Sequence, residues 1–172
     1  MPTSHSAQRR SPSLYTPEQR RRRDATRWTL VQGLLAPFQF VVFLVSLGLI
    51  CRYLVTGEGL AAANISVIVK TLVLYGIMIT GSIWEKVVFG RYLFADAFYW
   101  EDVFSMLVLA LHTAYLVCLF SGLLDHRALL LLALAAYAAY LVNATQFVLK
   151  LRAARLGERA APIGGPALEQ AR

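Results

Sequence analysis

Four long apolar runs dominate the chain, near 28–51, 61–84, 103–124 and 128–149, and polar segments separate them. Each run is long enough to cross ~30 Å of hydrocarbon at ~1.5 Å per helical residue. The pattern predicts an all-α protein, an integral membrane four-helix bundle. It divides the chain into a basic polar tail with a short juxtamembrane helix over 1–27, a four-span domain over 28–150 and a flexible tail over 151–172.

Polar positions inside the runs refine this picture. Thr16, Pro17, Glu18 and Gln19 form a helix start, with Thr16 as cap and Gln19 closing a capping box. The helix begun there carries Arg20, Arg21, Arg22, Arg23 and Arg27, suited to anionic lipid or to a partner surface. Pro37 should bend the first span. Gln32, Gln39 and Ser46 recur every seven residues and share one face, which should look into the bundle. Tyr140, Asn143, Gln146 and Lys150 share a face of the fourth span. Lys70 falls near the middle of the second span, where a lysine costs ~2.5–3.5 kcal/mol on insertion scales. It is either a structural charge or a counter-charge for an anionic ligand or a buried acid.

Composition agrees with the pattern. Of 172 residues, 58% are hydrophobic and only 16% charged, which excludes a typical water-soluble domain. The net charge of +7 does not signal nucleic acid, because the basic residues flank apolar runs and form no separate patch. Of the 17 Lys and Arg residues, the two short loops near 52–60 and 121–127 hold only Arg52 and Arg127. The positive-inside rule then places both termini and the central connection in the cytoplasm. Cys51 and Cys118 lack partners at ligand spacing and read as apolar filler.

The densest chemistry lies between the second and third runs. The stretch Ser82–His112 holds Glu85, Lys86, Arg91, Asp96, Glu101 and Asp102, with Trp84, Phe89, Tyr92, Phe94, Phe98, Tyr99, Trp100 and Phe104 among them. Glu85 ends one span and Glu101 and Asp102 begin the next, so one pocket between helices can gather two carboxyls. Glu101 and Asp102 point ~100° apart on a helix and cannot both face one ligand. Glu85 with either of them makes the better acid/base pair, and a carboxyl partly withdrawn from water holds its proton more firmly. A bland alternative is that these acids are solvated helix ends. His112 lies on nearly the same face as Glu101, ~16 Å further along. It serves either as a bundle hydrogen-bond partner or as a ligand. No phosphate loop, HExxH, nucleophile elbow or dinucleotide fingerprint is present, and no cofactor is expected.

Three segments carry a family likeness: LYTPEQRRRRDATRWTLVQGLLAPFQF, VKTLVLYGIMITGSIWEK and SIWEKVVFGRYLFADAFYWEDVFSMLVLALHTAYL. From Leu14 to Leu156 the chain closely resembles the 3-vinyl bacteriochlorophyllide hydratase family of photosynthetic bacteria. The resemblance implies a hydro-lyase that converts the C3 vinyl group of a chlorophyllide to a 1-hydroxyethyl group in bacteriochlorophyll synthesis. It also implies a multi-pass protein of an inner or intracytoplasmic membrane, whose partners are a magnesium chlorin, the bilayer and other enzymes of the same synthesis.

The residues suit that chemistry. A proton goes to the terminal vinyl carbon, the macrocycle stabilises the cation left beside the ring, and water adds with loss of a proton to a base. Glu85 or Glu101 is the candidate acid, with the other, or Asp102, positioning water. Trp84, Tyr99 and Trp100 are candidate stacking partners for the ring. Arg91 or Lys86 can meet its propionate. His112 can ligate its magnesium, and Lys70 can donate to a ring carbonyl. The rival is a membrane pigment-binding or assembly factor that holds the chlorin unchanged. Such a carrier should tolerate Glu85→Gln and Glu101→Gln.

Overall fold

A computed structural model describes residues 14–160, with side chains through 157. The polar stretch 1–13 and the end of the C-terminal tail lie outside the described residues. Five helices run in order: α1 (Pro17–Ala25), α2 (Arg27–Thr56), α3 (Leu60–Phe89), α4 (Tyr99–Ser121) and α5 (His126–Ala160). No strand occurs among the described residues. Helices α2 to α5 are long and apolar enough to cross a membrane.

Each span runs past its apolar core. α2 continues to Thr56, so the expected loop from Arg52 contracts to residues 57–59. The chain turns there because Gly57 adopts a left-handed φ of 74°, a conformation that costs a residue with a Cβ. α5 extends ten residues beyond Lys150. α2 runs unbroken through Pro37.

Helices α2 and α3 pack as one antiparallel pair and α4 and α5 as another, with lighter contact between the pairs. Lipid is as apolar as leucine, so close packing and interhelical hydrogen bonds must hold these helices together. Ala63, Ala133 and Ala136 are buried and let backbones approach, while Phe43, Ile50, Val67, Tyr115 and Tyr137 fill the core. Ser46 Oγ lies 2.6 Å from Tyr137 Oη and 2.7 Å from Ser66 Oγ, joining three helices. Tyr115 Oη donates to Asn64 Oδ1 at 2.9 Å, and Gln32 Nε2 to Thr80 Oγ1 at 2.8 Å. Gln32, Gln39 and Ser46 face the bundle as their seven-residue spacing predicts. Leucines such as Leu34 and valines such as Val55 point outward.

A second apolar cluster closes one end of the bundle. The capping box forms: Thr16 Oγ1 accepts from Gln19 N, and Gln19 Oε1 from Thr16 N. Thr26 ends α1 and caps α2, accepting from Trp28 N at 3.4 Å. Thr29 Oγ1 donates to the Arg23 carbonyl at 2.6 Å and accepts from Trp84 Nε1 at 3.0 Å, tying this joint to α3. Tyr15 is buried, stacks on Phe89 at 5.8 Å between ring centres and lies under the Arg23 guanidinium. Around it stand Trp84, Phe98 and Phe147.

Tyr15→Ala removes the ring that seats the N-terminal segment. The expected loss is about 3 kcal/mol of stability, with easier cleavage near Thr16. Reversible unfolding in mixed micelles and limited proteolysis would measure both.

Candidate functional site

The connection from Gly90 to Phe98 aims two backbone amides at two acids. Phe94 holds a φ of 58°, rare for a residue with a side chain. That left-handed turn costs roughly 1–2 kcal/mol, and the two hydrogen bonds it sets up offset the cost. Phe94 N donates to Asp102 Oδ2 at 2.7 Å, and the next amide, Ala95 N, reaches Glu85 Oε2 at 3.4 Å. Consecutive amides gathered this way make an anion-binding concavity.

Glu85 comes from the end of α3 and Asp102 from the start of α4, and both are buried. Their carboxyls lie close enough to interact directly. A carboxylate only accepts hydrogen bonds, so a direct contact between the two is favourable when one of them carries a proton. The pair can therefore hand a proton out from one oxygen and take one back at another.

Glu101 turns the other way, as the ~100° step between neighbours requires. Its Oε2 takes a 2.6 Å ion pair from Lys150 Nζ of α5. The ammonium also sits 5.1 Å from the Phe98 ring centre. The structure thus joins Glu85 with Asp102 and sets Glu101 apart. Sequence reasoning placed Lys150 on the correct face of α5 but assigned it no partner. The i, i+3, i+7, i+10 run Tyr140, Asn143, Phe147, Lys150 was the available signal.

The aromatic candidates divide. Trp84 belongs to the inner cluster, edge-on to Phe98 at 5.8 Å. Tyr99 and Trp100 are exposed on the outer surface, edge-on to each other at 5.5 Å. These three rings do not form one platform. Phe98, the aromatic just before them, is the one that turns inward.

Lys70 and His112 lie deep in the bundle, fully enclosed. Lys70 Nζ stands 4.0 Å from the Tyr140 ring centre and has no hydrogen-bond partner among the described residues. His112 Nδ1 meets the Val108 carbonyl at 2.8 Å; that carbonyl only accepts, so Nδ1 is the donor. Nε2 is unpartnered among the described residues, and Tyr137 covers the ring at 5.7 Å. Between this centre and the acids, Asn143 Nδ2 donates to Ser105 Oγ at 2.8 Å. His112 stands about 15 Å along α4 from Asp102, so the enclosed core and the acid pair are separate places.

A cleft of about 590 Å³, within the ~300–1,000 Å³ usual for small-molecule sites, opens over Ala95, which separates it from the acid pair. Leu14, Thr16 and Gln19 form one wall, Phe89, Arg91 and Ala95 to Ala97 another, and Lys150 a third. Ala95 is shared: it lines the cleft and its amide holds Glu85. Arg91 pairs loosely with Asp96 at 3.6 Å, and Lys86 Nζ donates to the Gly90 carbonyl at 2.9 Å.

Comparison with known proteins bears directly on these residues. A family profile described as 2-vinyl bacteriochlorophyllide hydratase matches residues 15–153, which include both acids, the connection and Lys150. A 2-vinyl bacteriochlorophyllide hydratase of Cereibacter sphaeroides is 64% identical over 160 residues, 93% of this chain and 98% of that protein. One of Rhodobacter capsulatus is 60% identical over 158 residues, 92% of each chain. No solved structure matches. Matched from the buried Tyr15 to the helix that supplies Lys150, the chain belongs to the 2-vinyl bacteriochlorophyllide hydratase family.

Proposed function

We propose that this protein is a hydro-lyase that adds water across the vinyl group of a bacteriochlorophyllide-type pigment, with Glu85 and Asp102 as its acid/base pair. The vinyl position called 2 in the relatives' names is C3 in the systematic numbering of the macrocycle. The observation that carries the assignment of residues is the pair of buried carboxyls held by the successive amides of Phe94 and Ala95, the second of which also lines the open cleft.

The reaction needs only proton movements. A proton carried by Glu85 or Asp102 passes to the terminal vinyl carbon as the π bond opens. The adjoining carbon becomes cationic and is stabilised by the macrocycle. The oxygen of a water bonds to that carbon, and the proton it loses returns to the vacated carboxylate. The amides of Phe94 and Ala95 stay fixed on the pair throughout, so its charge is stabilised without rearrangement.

Orientation follows from charge. Arg20 to Arg23, Lys86, Arg91, Lys150, Arg152 and Arg155 all gather at the acid-pair end of the bundle. The positive-inside rule supports that end, with both termini, as the cytoplasmic one, and the family resemblance supports a bacterial inner or intracytoplasmic membrane.

Full-length protein in lipid nanodiscs, given a 3-vinyl chlorophyllide without other additions, should yield a product heavier by one water. Pigment that binds and leaves unchanged would instead identify a carrier. Glu85→Gln and Asp102→Asn should each lower kcat by roughly 10²–10⁴ while the pigment's absorption shift on binding persists. Glu101→Gln should fall short of that loss, because Glu101 faces Lys150. Equal losses at all three positions would remove the distinction drawn between the acids.

A further inference from the structure

We propose that Arg91 and Lys150 form a carboxylate-recognition site in the cleft that reads the free propionate of the pigment and discriminates against its esters. This rests on the hydratase reading for the identity of the pigment. It concerns a group on the substrate remote from the vinyl carbon.

The two cations come from different elements and line one cavity: Arg91 from the connection and Lys150 from α5. Neither is used up by its present partner. The Arg91 guanidinium stands 3.6 Å from Asp96, beyond good hydrogen-bond length, and Asp96 is 97% exposed on its side chain. Such a surface pair contributes little, which leaves the planar donor fork free to bind a carboxylate through two N–H groups. Lys150 has three N–H donors and gives one to Glu101. Phe98 and Glu101 hold its ammonium, so its position is set before a ligand arrives.

The surroundings favour an anion. Gln19, on the cleft wall, opens the turn that carries Arg20, Arg21, Arg22 and Arg23. Arg22 pairs with Glu18 and Arg23 with Asp24, so the helix keeps a net positive charge smaller than its four arginines. In the capping box Thr16 and Gln19 use their side-chain oxygens as acceptors, so the donors left toward a ligand are the two cations and the neutral Gln19 amide and Thr16 hydroxyl. A chlorophyllide is by its name an unesterified acid, and its propionate is the ionised group the two cations would take.

The test compares a 3-vinyl chlorophyllide with its methyl ester, using full-length protein in nanodiscs and reading both absorption-detected binding and hydration. A charge-assisted contact of ~1.5–3 kcal/mol corresponds to a tenfold to hundredfold preference for the acid. Arg91→Gln and Lys150→Met should each pull the acid's Kd and KM toward the ester's and leave the ester's values nearly unchanged. Lys150→Arg should restore part of the preference. Lys150→Met also strips Glu101 of its cation, so Lys150→Met with Glu101→Gln serves as the folded control. Equal binding of acid and ester by the wild type would overturn the proposal. So would variants that weaken both ligands equally. Preferential binding of the acid without hydration would uphold this site while refuting the hydratase reading.

Discussion

Two carboxyls from different helices can sit together in a nearly water-free place only if something compensates them. Here the compensation is a pair of successive backbone amides. Phe94 accepts a left-handed turn so that its own N–H and that of Ala95 converge on Asp102 and Glu85. The structure at the acid-pair end of the bundle depends on holding that turn. Phe98 anchors the far end of the connection in the aromatic cluster, and Gly90 ends α3 with its N–H on the Lys86 carbonyl. Tyr15 seals the cluster from the polar side.

The remainder of the bundle keeps its polar groups paired across helices, as a low-dielectric setting demands. Ser46, Ser66 and Tyr137 form one such knot, and Asn64 with Tyr115 another. Lys70 Nζ is an exception among the described residues, as are His112 Nε2, Gln39 Oε1, Asn143 Oδ1 and Gln146 Oε1. The Lys70 ammonium rests on the face of Tyr140, an interaction strongest where water is absent. A charge placed there would be costly facing lipid, so Lys70 constrains α3 to turn this side toward α5. His112 lies near it and contributes to the same enclosed region.

Much of this was legible in the residues before any coordinates. The four spans follow from apolar length, and the inward face of α2 from the spacing of Gln32, Gln39 and Ser46. The capping box at Thr16 is a local rule obeyed locally. That Glu85 pairs with one of two neighbouring acids was also readable. Which one was not, because the choice depends on the rotation of α4, and Lys150 of α5 sets that rotation from 49 positions away. The three adjacent aromatics Phe98, Tyr99 and Trp100 posed the same difficulty. One faces inward, and only the geometry of the preceding connection says which. Tyr15 was hidden for a different reason: it stands at the edge of a polar tail, where nothing in the local pattern signals burial.

The division of the bundle into two tightly packed helix pairs has a bearing on how the site comes into being. Glu85 belongs to the first hairpin and Asp102 to the second, and contact between the hairpins is lighter than within either. Neither hairpin alone contains an acid pair, however well it inserts. The acid pair therefore arises late in assembly, as a property of the interface between two helical halves, and does not exist until the second half has docked against the first.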